Sequence, residues 1–132
     1  MEKKSVVHFE MPYGDRERVI KFYEQVFGWK MEKQGEKMGD YITAATAETD
    51  ENRMIKQPGA INGGFYPKME DPAMNYPSVV IAVPDIKGAM GNITDAGGKL
   101  LGEPMEIPGI GQYVSFIDTE GNRASILEAK KM

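Results

Sequence analysis

The sequence contains no cysteine and a single histidine, His8, among its 132 residues. Without cysteine the chain forms no disulfide, thiolate nucleophile or thiolate metal site, so any metal ligands must be His, Asp, Glu or neutral oxygens. No apolar run reaches the roughly 18 residues of a membrane-spanning helix, and the first five residues are polar and charged. We therefore expect a cytoplasmic protein with no membrane partner.

An excess of positive charge is missing as well, since the net charge is −4. Phosphate binding normally requires a basic patch, and we therefore expect no nucleic-acid partner. Hydrophobic residues make up 41% and charged residues 27% of the chain, as in ordinary globular proteins. A length of 132 residues suits one domain, which we predict over residues 1–132.

The first half of the chain reads as β-α-β-β-β. In residues 6–11, Phe9 and Met11 alternate with His8 and Glu10, which predicts a strand with two different faces. Asp15 is a predicted N-cap, and Gly28 is the predicted stop of a helix over 16–27. The helix should pack one apolar stripe against a sheet: Val19, Phe22, Tyr23, Val26 and Phe27. Strands are predicted at 29–32, 41–46 and 60–66.

The second half repeats this order after a shift of 70 residues, which places Asp15 on Asp85 and Gly28 on Gly98. Asp85 is the predicted second N-cap. We predict a strand at 79–83, a helix at 86–96, a short extended segment at 100–101, a loop at 102–111, and strands at 113–117 and 123–128. The sequence thus predicts an α+β fold of two βαβββ modules, at about 5–66 and 78–128, with a linker at 67–77.

Several motifs carry a family resemblance by their order and spacing. They are His8–Pro12 followed by Asp15, the helix end Lys21–Trp29, Val83–Ile86, Ala96–Lys99, and the turn Asp118–Asn122. Together they resemble the vicinal oxygen chelate superfamily, which includes glyoxalase I, bleomycin-resistance proteins and extradiol dioxygenases. The resemblance implies an open cup-shaped mixed β-sheet with flanking helices, a ligand inside the cup, and a homodimer.

Metal-dependent members of that superfamily hold a divalent ion with side chains from the first and last strands of each module. His8 fits one such position, whereas Ser78 and Ser125 stand at two others, and residues 60–66 offer only Asn62 as a weak oxygen donor. Glu128 lies an odd number of residues from Ser125, so a regular strand turns it to the other face. We therefore predict no tightly bound metal and no cofactor, with weak divalent-metal binding as the remaining option.

His8 and Glu10 share one strand face, and this spacing allows two interpretations. They form a catalytic acid/base pair, or His8 is a family remnant that is hydrogen-bonded inside the cup. The other candidate ligand-binding residues carry aromatic rings or hydroxyl groups that suit an organic molecule: Trp29, Tyr41, Ser78, Tyr113, Ser115 and Ser125. Each of these aromatic side chains has core packing as its alternative role.

The resemblance and the missing ligands favour a small-molecule binder of the bleomycin-resistance type, which sequesters or carries an organic compound without a tightly bound metal. The alternative is a lactoylglutathione-lyase-like isomerase or lyase with a degenerate or weak metal site. The reaction of that enzyme requires a metal ion that stabilises an enediolate, so the missing metal ligands argue against this alternative. A regulatory or interaction module is a third hypothesis.

Overall fold

The computed structural model describes residues 2–52 and 54–130, which form nine β-strands and two α-helices. The chain divides into two compact units, an N-terminal unit of residues 8–77 and a C-terminal unit in which residues 2–7 join residues 78–130. The elements are β1 Val6–Tyr13, α1 Arg16–Phe27, β2 Lys30–Lys33, β3 Ile42–Ala45, β4 Asn62–Pro67, β5 Ser78–Ala82, α2 Ile86–Asp95, β6 Lys99–Leu100, β7 Met105–Ile107, β8 Gly111–Ile117 and β9 Arg123–Ala129.

In the N-terminal unit the strands lie in the order β2-β3-β4-β1. Strands β1 and β4 are parallel, and the other two pairs are antiparallel. Helix α1 begins where Asp15 Oδ1 accepts a hydrogen bond from the Arg18 amide at 3.0 Å. It ends at Gly28, whose φ of 70° is left-handed. Both predicted helix ends are therefore confirmed.

The core of the N-terminal unit lies between α1 and the strands, but the predicted helix stripe is partly wrong. Phe22, Val26 and Phe27 are 52%, 55% and 59% exposed. The helix packs through Val19 and Tyr23, about 40° apart around the axis, whereas Phe22 lies about 100° from Tyr23. The buried core residues are Tyr13, Met31, Ile42, Ala44 and Phe65.

In the C-terminal unit the strands lie in the order β5-β9-β8-β6, and β7 pairs with β8. Strands β5 and β9 are parallel, and the remaining pairs are antiparallel. The predicted loop at 102–111 is wrong in part, because it contains the short strand β7. Pro104 and Pro108 flank this strand, and proline in such a segment argues against a strand in a sequence-based prediction. Val83, Ile86, Val114 and Ile126 form the core of this unit.

The start of α2 confirms Asp85 as the second N-cap residue, although without a side-chain capping bond, and it confirms the direction of Glu128. Asp85 occupies the N-cap position, but its carboxylate makes no capping hydrogen bond. Glu128 Oε1 instead accepts the Ile86 amide at 2.9 Å. Glu128 therefore lies on the helix side of the strands, away from Ser125, as its odd offset predicts.

Each unit follows the predicted order β-α-β-β-β, with β7 as an additional strand in the C-terminal unit. The α+β class with a mixed sheet is therefore confirmed. Helices α1 and α2 have 12 and 10 residues, and in the described part of the chain no helix has the length and apolarity to cross a membrane.

Candidate functional site

The alternation of β1 sends its polar and apolar side chains to opposite faces. Phe9 and Met11 pack against the core of the N-terminal unit. His8 and Glu10 lie on the other face, where Glu10 is only 7% exposed. A buried carboxylate needs hydrogen-bond donors nearby, and the structure supplies one from a distant segment.

Tyr41, just before β3, bridges the two polar residues of β1. Its hydroxyl donates to Glu10 Oε2 at 3.0 Å and lies 2.8 Å from His8 Nε2. A phenol has one proton, so when that proton is donated to Glu10, His8 must donate from Nε2 to the Tyr41 oxygen. A neutral His8 then keeps its lone pair on Nδ1. We call His8, Glu10 and Tyr41 the His8 cluster.

Gly64 makes room for the Tyr41 ring. It pairs with Glu10 across β1 and β4, on the same face of the strands. A Cβ atom at position 64 would overlap Tyr41 Cε2, Cζ and Oη. The ring therefore lies directly over the backbone of β4, and only glycine permits this approach.

Burial lowers the pKa of His8 from its ordinary value, and the nearby Glu10 opposes the shift only in part. His8 is thus neutral in the folded protein at neutral pH, which suits a hydrogen-bond partner or a proton acceptor.

This lowered pKa predicts a pH dependence of folding. Between the folded pKa of His8 and about 6.5, the unfolded chain binds more protons, so the free energy of unfolding rises with pH in that window. The stabilisation is complete above it and is lost as the pH falls through it. Urea unfolding from about pH 5 to 7.5 should show a steeper slope for the wild type than for His8→Gln. Equal slopes would contradict the assignment, because the chain has no other histidine.

A second group of polar side chains lies in the C-terminal unit, on the face of β8 and β9 opposite α2. Ser115 and Ser125 are directly paired across these strands, and their hydroxyl oxygens are 2.8 Å apart. Ser125 is completely buried and donates to the Tyr113 hydroxyl at 2.8 Å. Arg123 Nη2 donates to Ser115 Oγ at 3.3 Å. We call these four residues the Ser125 cluster.

Arg123 is the functional candidate that the sequence analysis missed. It lies two residues before Ser125 on β9, so strand alternation alone places both side chains on one face. The predicted strand at 123–128 already contained this signal. A charged group in a hydroxyl-lined, half-buried position is a stronger candidate for ligand binding than another serine.

The remaining two candidates lie outside both clusters. Ser78 begins β5 and is 8% exposed, and its hydroxyl has no hydrogen-bond partner among the described residues. Trp29 packs with the N-terminal core. Its ring stacks on that of Tyr23 with the ring centroids 4.7 Å apart, and its centroid lies 5.6 Å from that of Phe9. It therefore lies on the face opposite His8, in the alternative role that the sequence left open.

The residues at the metal positions named by the resemblance do not fit a tightly held ion. His8 is the one imidazole, and its Nε2 is hydrogen-bonded to Tyr41. Asn62 Oδ1 already accepts the amides of Thr46 and Ala47, at 2.8 and 3.0 Å. Ser78 and Ser125 offer only neutral hydroxyls, which are poor ligands for transition metals. No step of a reaction is therefore assigned to a metal.

A sequence model of the Glyoxalase/Bleomycin resistance protein/Dioxygenase superfamily matches residues 5–126. The chain belongs to this superfamily. The resemblance carried by the motifs around His8, α1 and the Asp118 turn is thereby confirmed.

Individual relatives agree with the superfamily assignment. A glyoxylase-like domain-containing protein of Didymella fabae is 32% identical over 120 residues, which cover 89% of this chain and 88% of the relative. Among solved structures, a hypothetical protein from Bacillus halodurans C-125 has a TM-score of 0.68 at 14% identity, with 99% of this chain and 98% of the other covered. A methylmalonyl-CoA epimerase variant from Streptomyces coelicolor has a TM-score of 0.66 at 16% identity, with 96% and 97% covered. At 14% and 16% identity, these two solved structures show only that this chain shares their fold.

Proposed function

We propose that this superfamily member binds a small organic molecule without a tightly bound metal. The observation that carries the proposal is the chemistry of the buried polar groups. Hydroxyl groups, one neutral imidazole and aromatic rings line the faces opposite the two cores, and such groups suit an organic ligand. With the carboxylate of Glu10 beside the imidazole of His8, these faces supply two transition-metal ligands, whereas metal sites use three or four.

Dialysed protein should therefore contain far less than one divalent metal ion per chain. Elemental analysis that found near-stoichiometric zinc, nickel or iron would overturn the metal-free proposal.

A second experiment screens the dialysed protein against a metabolite library by thermal unfolding, once with a chelator and once with added zinc. A compound at about 100 times its Kd should stabilise the fold by about 2.7 kcal/mol, and equally in both conditions. Stabilisation that required zinc would contradict the proposal.

A lactoylglutathione-lyase-like isomerase or lyase is a second candidate, favoured by the His8 cluster. A neutral His8 with its lone pair on Nδ1 is able to accept a proton, and Tyr41 and Glu10 orient its ring. Methylglyoxal and glutathione test this activity directly. Turnover that His8→Ala abolishes while binding persists would favour the enzyme, whereas unchanged turnover in that variant would remove His8 from the mechanism.

The homodimer and the cytoplasmic location stay predictions from the sequence. Sedimentation of the purified chain across a range of concentrations tests the first. Absence of a nucleic-acid partner is tested by the same measurement in the presence of duplex DNA.

A further inference from the structure

An open cavity of about 320 Å³ lies on the surface of the N-terminal unit, where β1 turns into α1. Its lining includes the turn Tyr13–Asp15, Arg18 and Phe22 of α1, and Lys68 directly after β4. Tyr13 belongs to the core between α1 and the strands, so the cavity lies on the helix side, away from the His8 cluster. Its volume is at the lower end of the range for sites that bind small molecules.

Two positive charges meet at this cavity without a partner. A Cβ atom on Gly14 would lie 3.6 Å from Arg18 Nη2 and 4.0 Å from Lys68 Nζ, so both charged ends stand over the same glycine. Among the described residues, neither side chain has an ion-pair or hydrogen-bond partner. Like charges this close repel each other, and an anion between them would replace the repulsion by two attractions.

Asp15 is the carboxylate of the lining, and it has another role. Its Oδ1 accepts the Arg18 amide at 3.0 Å and caps α1. The lining therefore carries two cations and one carboxylate, a local positive charge on a chain whose net charge is −4. This local excess favours an anionic ligand over a cationic or neutral one.

Phe22 gives the cavity an aromatic wall. The side chain is 52% exposed, and its ring contacts its helix neighbours Tyr23 and Phe27, with the ring centroids 5.0 and 6.4 Å apart. Val19, one turn earlier in α1, also lines the cavity. A ligand that covers the Phe22 ring removes apolar surface from water. An occupant that suits both ends of the cavity therefore has an anionic group and an apolar group.

We propose that this cavity is a second ligand site, separate from the His8 cluster, for a small organic anion. The carboxylate or phosphate of the ligand binds between Arg18 and Lys68, and its apolar group packs on Phe22. The guanidinium of Arg18 provides the paired donors that fit either oxyanion. This site does not depend on what binds opposite the two cores, and so it goes beyond the function proposed above.

The probes are phenyl phosphate and 3-phenylpropionate, which join an anionic group to an aromatic ring. Inorganic phosphate and propionate, which have no ring, and 3-phenylpropionamide, which has no charge, are the matched controls. In ¹⁵N-labelled protein, the backbone amide signals of Gly14, Arg18 and Phe22 should shift saturably with at least one aromatic anion at millimolar concentration. The anion without a ring should bind about fivefold more weakly, and the uncharged amide should give no saturable shift.

The same titrations can contradict the proposal. If neither aromatic anion shifts these amide signals saturably, or if 3-phenylpropionamide shifts them equally, the cavity is not an anion site. An anion that shifts the imidazole signals of His8 and leaves the amides of residues 14–22 unchanged binds elsewhere, and the second site is refuted. Equal affinities with and without the ring would exclude Phe22 from the site.

Charge-removing variants identify the cationic contacts. Arg18→Gln and Lys68→Gln should each weaken binding of the responding anion by about threefold to fivefold, the loss expected for charges at an exposed site. Lys87→Gln is the matched control, because it removes the same charge from an exposed position of α2 outside the lining and should leave the affinity unchanged. Unchanged affinity in both cavity variants, or an equal loss in all three, would refute the site.

Two phenylalanine variants test the aromatic wall. Phe22 and Phe27 are 52% and 59% exposed on the same helix, so either side chain can be shortened with little loss of packing, but Phe22 lines the cavity and Phe27 does not. Phe22→Ala should weaken binding of the aromatic anion by about fivefold, to the affinity of the anion without a ring, and Phe27→Ala should not. Equal losses in the two variants would indicate a change in α1 rather than a ligand contact, and no loss in Phe22→Ala would exclude its ring from the site.

Discussion

Replacement of Gly64 by alanine is expected to expel the Tyr41 ring from the His8 cluster and to lower the free energy of unfolding by about 1–3 kcal/mol. The added methyl group would overlap Tyr41 Cε2, Cζ and Oη. These atoms form the far end of a long side chain, so the ring can swing away while the backbone of β4 stays in place. The cost comes mainly from the hydrogen bonds to His8 and to the buried Glu10 that are lost with it.

A double-mutant cycle isolates this overlap. Gly64→Ala is measured by urea unfolding in the wild type and in a Tyr41→Ala background, where the methyl group has no ring to displace. The substitution should cost little in the second background, and an equal cost in both would refute the explanation. Gly91→Ala is a control of opposite sign, because Gly91 lies exposed in α2 with open space around it. It should stabilise the fold by about 0.5–1 kcal/mol.

Strand alternation predicted the composition of each polar face because its period is fixed by backbone geometry. It placed His8 with Glu10, and it turned Glu128 away from Ser125. The same rule would have found Arg123 if it had been applied along the whole of β9. These parts of the site depend only on positions within one strand, and such positions can be read from the sequence.

Contacts between distant segments could not be predicted in this way. The bond from Tyr41 to Glu10 spans 31 positions and depends on the register of β3 on β4, which a sequence pattern does not fix. Trp29 lies just before β2, where no alternation applies, so its place in the core rather than beside His8 was undetermined. The exposed Phe22 of α1 shows that helix burial is equally hard to predict, because an apolar stripe in the sequence does not determine how many of its residues contact the sheet.

Gly63 and Gly64 are adjacent on β4 and serve opposite faces of the strands. Gly64 faces the His8 cluster, whereas Gly63 pairs with Phe9 and lies beneath its ring on the core face. Two consecutive glycines weaken a strand, because each adds chain entropy to the unfolded state and provides no side chain to pack. Their presence in a central strand is explained when each of them admits an aromatic ring that a methyl group would exclude.

Gly63→Ala should therefore be the more damaging substitution, with a loss of about 3 kcal/mol in the free energy of unfolding. The added Cβ would overlap Phe9 Cγ, Cδ2 and Cε2. Because Cγ lies on the Cβ–Cγ axis, rotation of the ring about that bond does not relieve the overlap. The Trp29 ring, whose centroid is 5.6 Å from that of Phe9, packs against the same side chain. Either the core or the backbone of β4 must move. Calorimetry should show the thermal midpoint falling by roughly 10 °C.

The two glycine variants should also differ in what happens at His8. In Gly63→Ala the His8 cluster keeps its own side of the strands, so the NMR signals of the single imidazole should stay near their wild-type positions at temperatures where the variant is folded. In Gly64→Ala the same signals should move, because Nε2 loses its bond to Tyr41. A Gly63→Ala protein as stable as the wild type, or one that shifts the imidazole as strongly as Gly64→Ala does, would contradict the assignment of these two glycines to opposite faces.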